Sequence, residues 1–136
     1  MEGSLVDLSK YRLSTAKSDL NAAKVLYSAK EFRGAVNRSY YAIFHALRAV
    51  LAMDDFDSSK HSGIIAYFNQ HYVKTEVFDK SVSKLVSAAF RLREKADYQD
   101  FYIVSVQETE AQIAAAEQLI EMIGQYLAER WERVDG

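Results

Sequence analysis

Phe32-Arg33-Gly34-Ala35-Val36-Asn37-Arg38-Ser39-Tyr40-Tyr41-Ala42-Ile43-Phe44-His45-Ala46-Leu47-Arg48-Ala49-Val50-Leu51-Ala52-Met53 is the stretch that decides the fold. At about 100° per residue, Val36, Tyr40, Ile43, Phe44, Leu47 and Leu51 fall within roughly 100° of arc. That is the apolar stripe of an amphipathic helix. Another side of the same helix carries Ala35, Ala42, Ala46 and Ala49, with Gly34 nearby. Two sides therefore avoid water. Such a helix is expected at the centre of a bundle, or against another chain.

The same period extends outward in both directions. A first helix is predicted over Ser4 to Ala29, with Ser4 as its cap and Leu5, Leu8, Ala16, Leu20, Ala23 and Tyr27 on one stripe. Lys30-Glu31 reads as a short break before the helix at Phe32 to Met53. Asp54-Asp55-Phe56-Asp57-Ser58-Ser59 is a polar loop whose Asp and Ser side chains suit helix capping. A shorter helix follows over Lys60 to Gln70, and another over Val77 to Lys95. Ala96 to Val104 reads as a connector. Ser105 and Glu108 form a capping-box pattern before a last helix over Val106 to Trp131. Gly124 inside that helix suggests close packing, since glycine there costs about 1 kcal/mol against alanine. With no Pro in the chain, nothing interrupts these helices. The expected fold is all-α: an antiparallel up-and-down four-helix bundle with one additional short helix, a single domain over residues 1–136.

Composition narrows the function. The chain has no Cys, which excludes a disulfide framework and Cys-ligated zinc. No apolar stretch approaches the roughly 18 residues of a membrane span, and the first ten residues do not read as a secretory signal. A cytoplasmic protein is expected, with no membrane role. Net charge is −2, too low for a protein that coats DNA. From Asp100 onward there are 8 acids and 2 bases, so the preceding residues hold 11 acids and 15 bases. An anionic ligand would meet the earlier part of the chain. The acidic end itself reads as a solvated helix face.

Arg38 and His45 are seven residues apart. Seven steps turn about 700°, only about 20° short of two turns, so both side chains leave one face. Tyr41 and Arg48 lie near the same line, away from the apolar stripe. A guanidinium can bind a phosphate through two hydrogen bonds and stabilise growing charge. An imidazole near its ordinary pKa can exchange protons with a 2′-hydroxyl at neutral pH. The combination suits metal-free phosphodiester chemistry on RNA. It equally suits a salt-bridged Arg and a hydrogen-bonded His inside a packed bundle.

Other candidates read more blandly. Lys60 is either a phosphate contact or an exposed loop lysine. His61 reads as a residue ordering its turn, and His71 as a surface residue near a helix end. Asp54, Asp55 and Asp57 read as caps, and no metal site is expected. Arg91, Arg93 and Lys95 are followed by Tyr98 and Tyr102, which could stack RNA bases or pack under the connector. Asp97 is positioned to pair with one of these arginines and fix the connector.

The segment Ala35 to Ala46 resembles the signature helix of HEPN-domain proteins, with an Arg-x6-His spacing inside that family's pattern. Lys60-His61-Ser62-Gly63 and Arg93-Glu94-Lys95-Ala96-Asp97-Tyr98 resemble further family stretches, in the same order. The resemblance covers about Phe32 to Tyr98. It implies a small helical bundle, often a homodimer and often encoded beside a nucleotidyltransferase. The implied activity is a metal-independent endoribonuclease without a cofactor, the toxin or effector half of a toxin-antitoxin or defence system. Arg38 would hold phosphate and His45 would act as acid or base where two copies meet. Tyr41, Arg48 and Lys60 would contact RNA or a nucleotide, and the alanine stripe would fit the close dimer contact. Two positions differ. Ser39 follows the Arg where nuclease members often carry Asn, Asp or His. Leu47 stands where some toxin members carry a tyrosine that a partner enzyme modifies. The other reading implied is a non-catalytic nucleotide-binding module, or one that docks a nucleotidyltransferase.

Overall fold

A computed structural model of the chain describes residues 2–135, with side chains described from residue 4 to residue 134. Helix α1 spans Glu2–Ser28, α2 Phe32–Ala52, α3 His61–Phe68, α4 Lys80–Tyr98 and α5 Val106–Asp135. A π-helical turn, Asn69–Val73, continues α3. No strand occurs among the described residues. The fold is the all-α bundle expected: four long helices and one short one.

α2 is the axis of the bundle, since α1, α3, α4 and α5 all pack on it. Its predicted stripe is buried, with Val36, Ile43, Leu47 and Leu51 all at 0% exposure. The alanine stripe is equally buried, and within this chain: Ala35, Ala42, Ala46 and Ala49 are 0% exposed. The dimer contact expected for those alanines is therefore corrected. Small side chains let α1 approach α2 closely, and α1 makes its most extensive contact there. Its own small residues Ser9, Ala16 and Ala23 are also buried, and Ser9 Oγ donates to the Ala49 carbonyl at 2.7 Å.

Several helix details differ from expectation. α1 begins at Glu2, so Ser4 lies inside the helix rather than capping it. Its buried line is Val6, Ser9, Leu13, Ala16, Leu20 and Ala23, and Leu8 faces outward. α4 starts at Lys80, where Asp79 accepts from the Ser81 amide at 2.9 Å. It then continues through Ala96, Asp97 and Tyr98, which the sequence assigns to the connector. Lys30, in the turn between α1 and α2, has φ 62°. The capping box at α5 is present in both directions: Glu108 N–H donates to Ser105 Oγ and Ser105 N–H to Glu108 Oε1, each at 3.0 Å. Gly124 is not a close-packing site. A Cβ built there would meet nothing within 4 Å.

The loop aspartates anchor rather than cap. Asp54 accepts from Arg130 Nη2 at 2.7 Å and from the Tyr72 hydroxyl at 2.6 Å, tying the end of α2 to α5 and the π turn. Asp57 receives both Arg48 and Arg12, at 3.0 and 3.2 Å. No described helix is long and apolar enough to cross a membrane.

Candidate functional site

Between its two buried sides, α2 leaves one narrow arc facing outward. From residue 37 to the end of the helix, the side chains on that arc are Asn37, Arg38, Tyr41, His45 and Arg48, all half-buried. The arc is what remains when an apolar stripe and a small-residue stripe are both covered. The structure thus brings Arg38, His45, Tyr41 and Arg48 together along one line. It leaves Lys60 apart, exposed in the loop before α3 with its backbone N–H on Ser58 Oγ.

α1 supplies the residue that joins Arg38 to His45. Asp19 accepts from Arg38 Nη1 through Oδ1 at 3.2 Å, and its Oδ2 lies 3.8 Å from His45 Nε2. Asp19 side-chain exposure is 15% and that of His45 22%, so this ion-pair geometry is partly shielded from water. Burial is the main influence on His45 and holds its pKa below the ordinary histidine value. The Asp19 charge opposes that shift, while Arg48, Arg38 and Arg12 reinforce it. His45 is therefore neutral at pH 7, the form that accepts a proton.

Arg38 belongs to a closed circuit of side chains. Its Nε and Nη2 both donate to Asn37 Oδ1, at 3.1 and 2.8 Å. Asn37 Nδ2 donates to Asp97 Oδ2 at 3.0 Å. Arg93 Nε stands 3.1 Å from the same Asp97 oxygen, in ion-pair range but not aligned as a hydrogen bond. Arg93 Nη2 donates to the Tyr41 hydroxyl at 3.0 Å, and the Arg38 guanidinium lies 5.0 Å above the Tyr41 ring. The circuit returns to where it began. Arg93 is 9% exposed and is caged by the rings of Tyr40, Tyr41 and Tyr98. A buried guanidinium in such a place needs both its carboxylates and the ring faces. The expected pairing of Asp97 with an arginine is present, and it also reaches Asn37 on α2.

Arg48 is held differently. Its guanidinium pairs with Asp57, and Arg12 donates to both Asp57 and the Arg48 carbonyl. Two guanidiniums share one carboxylate beside His45, so this end of the line carries excess positive charge. Ser39 is no part of the site. It is 0% exposed, and its hydroxyl donates back to the Val36 carbonyl at 3.0 Å. His71 is exposed and packs against Tyr67 with the rings tilted, their centroids 4.1 Å apart. No group of three or more His, Cys, Asp or Glu that could hold a metal ion occurs among the described residues.

Sequence reasoning missed Asp19. Its signal was present but faint: it stands three residues after Ala16, on the edge of the buried line of α1. Only the α1–α2 packing shows which side chain of α2 it meets.

The sequence as a whole has clear relatives. A 33% identical protein of Methanocaldococcus jannaschii, named "Putative toxin MJ0605", aligns over 86% of this chain and 87% of its own length. A UPF0332 protein of Thermotoga maritima is 32% identical over 84% of this chain and 86% of its own. Another, from Gloeobacter violaceus, is 30% identical over 86% and 94%. The model of the HEPN domain matches residues 9–127, from within α1 to within α5, and so takes in Asp19, the whole line on α2 and the Arg93–Asp97 pair. The chain belongs to the HEPN domain family.

Proposed function

We propose that this protein is a one-domain, metal-independent endoribonuclease acting on single-stranded RNA as a homodimer, the toxin half of a toxin-antitoxin or defence system. The observation that carries this reading is the Arg38–Asp19–His45 arrangement, with Arg38 and His45 on the outward arc of α2 and Asp19 reaching them from α1. Family membership and the toxin name of the archaeal relative support it. His45, neutral at pH 7, takes the proton of a ribose 2′-hydroxyl as that oxygen attacks the adjacent phosphorus. Arg38, held in line by Asn37 and Asp19, exchanges one of these contacts for a phosphate oxygen and stabilises the charge that builds there. The 5′-oxygen leaves with a proton from a second acid, which the facing copy's arc supplies in a dimer. Tyr41 and Arg48 flank the reacting phosphate, and Lys60 contacts the chain further along. A nucleotidyltransferase encoded alongside is the natural controlling partner, and a cytoplasmic location fits the substrate.

The test is cleavage of single-stranded RNA in EDTA by the wild type and by His45→Ala. Cleavage by the wild type alone supports the reading. Equal activity in both, or in neither, rejects it and leaves nucleotide binding or partner docking as the role of this face.

A further inference from the structure

His61 is a second imidazole close to His45, and the mechanism leaves it unused. Its ring stacks on Phe44 with centroids 4.1 Å apart and meets the Tyr41 ring edge-on at 5.7 Å. Tyr41 also touches His45, at 6.1 Å, so the two histidines flank one ring. His61 Nδ1 lies 2.9 Å from the Tyr40 hydroxyl. Tyr40 is 1% exposed, and burial pushes its phenol pKa far up, so it keeps its proton. A buried hydroxyl proton needs an acceptor, and Nδ1 is the acceptor in reach. Tyr40 therefore donates and Nδ1 accepts. Burial and nearby Arg93 hold the His61 ring neutral at pH 7. Its one ring proton then sits on Nε2.

The His61 ring also lines an open pocket, together with Phe44, Arg48, Asp57, Ser58 and Ser59. Tyr40 is not among its walls. Asp57 is the acidic lining group and is already taken, by Arg48, Arg12 and the Ser58 amide. Ser58 Oγ accepts from the Lys60 amide, which leaves its own proton to give. Gly63 fixes that serine's place: a Cβ there would stand 2.5 Å from Ser58 Oγ, so only glycine lets α3 start this close. The donors left to the pocket are thus the part of the Arg48 guanidinium that Asp57 does not hold, the His61 Nε2–H and two hydroxyls. All of them suit an anion.

We infer that this pocket is a phosphate subsite for the nucleotide next to the one cleaved at His45, with Arg48 giving charge and His61 Nε2–H, Ser58 and Ser59 giving neutral hydrogen bonds. Its place in RNA rests on the ribonuclease reading; the binding of phosphate does not require cleavage. Tyr40 is then a positioning residue, since it sets which nitrogen of His61 carries the proton.

Long-range ¹⁵N–¹H spectra of the histidine rings test this. The ligands are a 2′-O-methyl oligoribonucleotide, which cannot be cleaved, inorganic phosphate, and adenosine. In the free protein His61 should show a protonated Nε2 and a bare Nδ1. The oligonucleotide and phosphate should shift its Nε2, and adenosine should not. His61→Ala and Arg48→Gln should each weaken oligonucleotide binding about tenfold, with His61→Gln recovering part of the loss. Tyr40→Phe keeps the core volume and should also weaken binding, with a mixture of His61 tautomers. A proton on Nδ1, an unmoved His61 signal with the oligonucleotide, or full affinity in both His61→Ala and Tyr40→Phe overturns the subsite. Phosphate binding without oligonucleotide binding overturns its assignment to RNA. A wild type that binds the oligonucleotide through His61 but cuts no RNA sinks the nuclease reading and keeps the subsite.

Discussion

Asp19 Oδ2 stands 3.8 Å from His45 Nε2, within ion-pair range but beyond a hydrogen bond. The same carboxylate holds Arg38 through its other oxygen. A residue of α1 therefore helps to hold the cation and raises the proton affinity of the imidazole against the effect of its burial. Asp19→Asn should preserve the fold, keep a hydrogen bond to Arg38 and remove the charge. His45 then loses the neighbouring charge that raises its pKa. The acid limb of the cleavage profile should move to lower pH, and the rate at pH 7 should fall, by up to about 100-fold if Arg38 is displaced. A variant with an unmoved acid limb would show that Asp19 does not act on His45.

Acid should loosen the fold through the histidines as well. His45 and His61 both titrate below the ordinary value of 6.5, chiefly because they are buried. In the unfolded chain they take up protons as the pH drops through about 6.5; in the folded chain they do so only lower. Between those points the unfolded state binds more protons, so stability rises with pH. Urea denaturation should give a lower unfolding free energy at pH 5.5 than at pH 7. Replacing both histidines with glutamine should flatten that part of the curve.

The circuit around Arg93 predicts a larger effect. Arg93→Met fills much of the space but leaves Asp97 and the Tyr41 hydroxyl without their partner. Removing one member of such a set costs about 1–3 kcal/mol or more. It should also loosen Arg38 through Asn37. The measurement is chemical denaturation together with cleavage kinetics. A variant as stable as the wild type would mean that the circuit contributes nothing net.

Gly124 points the other way. It lies within α5 with open space where a Cβ would go. Gly124→Ala should stabilise the protein by about 1 kcal/mol and raise Tm by a few degrees, through helix propensity and a less flexible unfolded chain. Calorimetry on the purified variant checks it; a lower Tm would reveal a hidden contact at that position.

The sequence shows α2 and its outward line almost completely, because both rest on a single period within one helix. Arg38, Tyr41, His45 and Arg48 need only that period to be placed together. The alanine stripe shows the limit of such reading. Periodicity says that Ala42 and Ala46 avoid water, but not whether their neighbour is α1 or another chain. Asp19 and Arg93 lie 19 and 52 residues from the α2 side chains they touch, and no local pattern encodes that meeting. The reach of α4 through Tyr98 was missed for a related reason. Ala96 and Asp97 look like loop residues until Asp97 is seen to bind Arg93 one turn back and Asn37 across the bundle. The lone glycine of α5 was read as a contact when it is only an absence of side chain.

The central position of α2 has a consequence for motion. This helix carries the core stripe on one side and the proposed chemistry on another, with other helices packed around it. Enzymes often place reactive groups on loops that open easily; here the backbone beneath Arg38 and His45 opens only when the core does. Backbone amides of residues 38–48 should be among the slowest in the molecule to exchange with deuterium, at rates set by global unfolding. A regulator of such a face would therefore work by covering it, since local opening of the helix is not available to it.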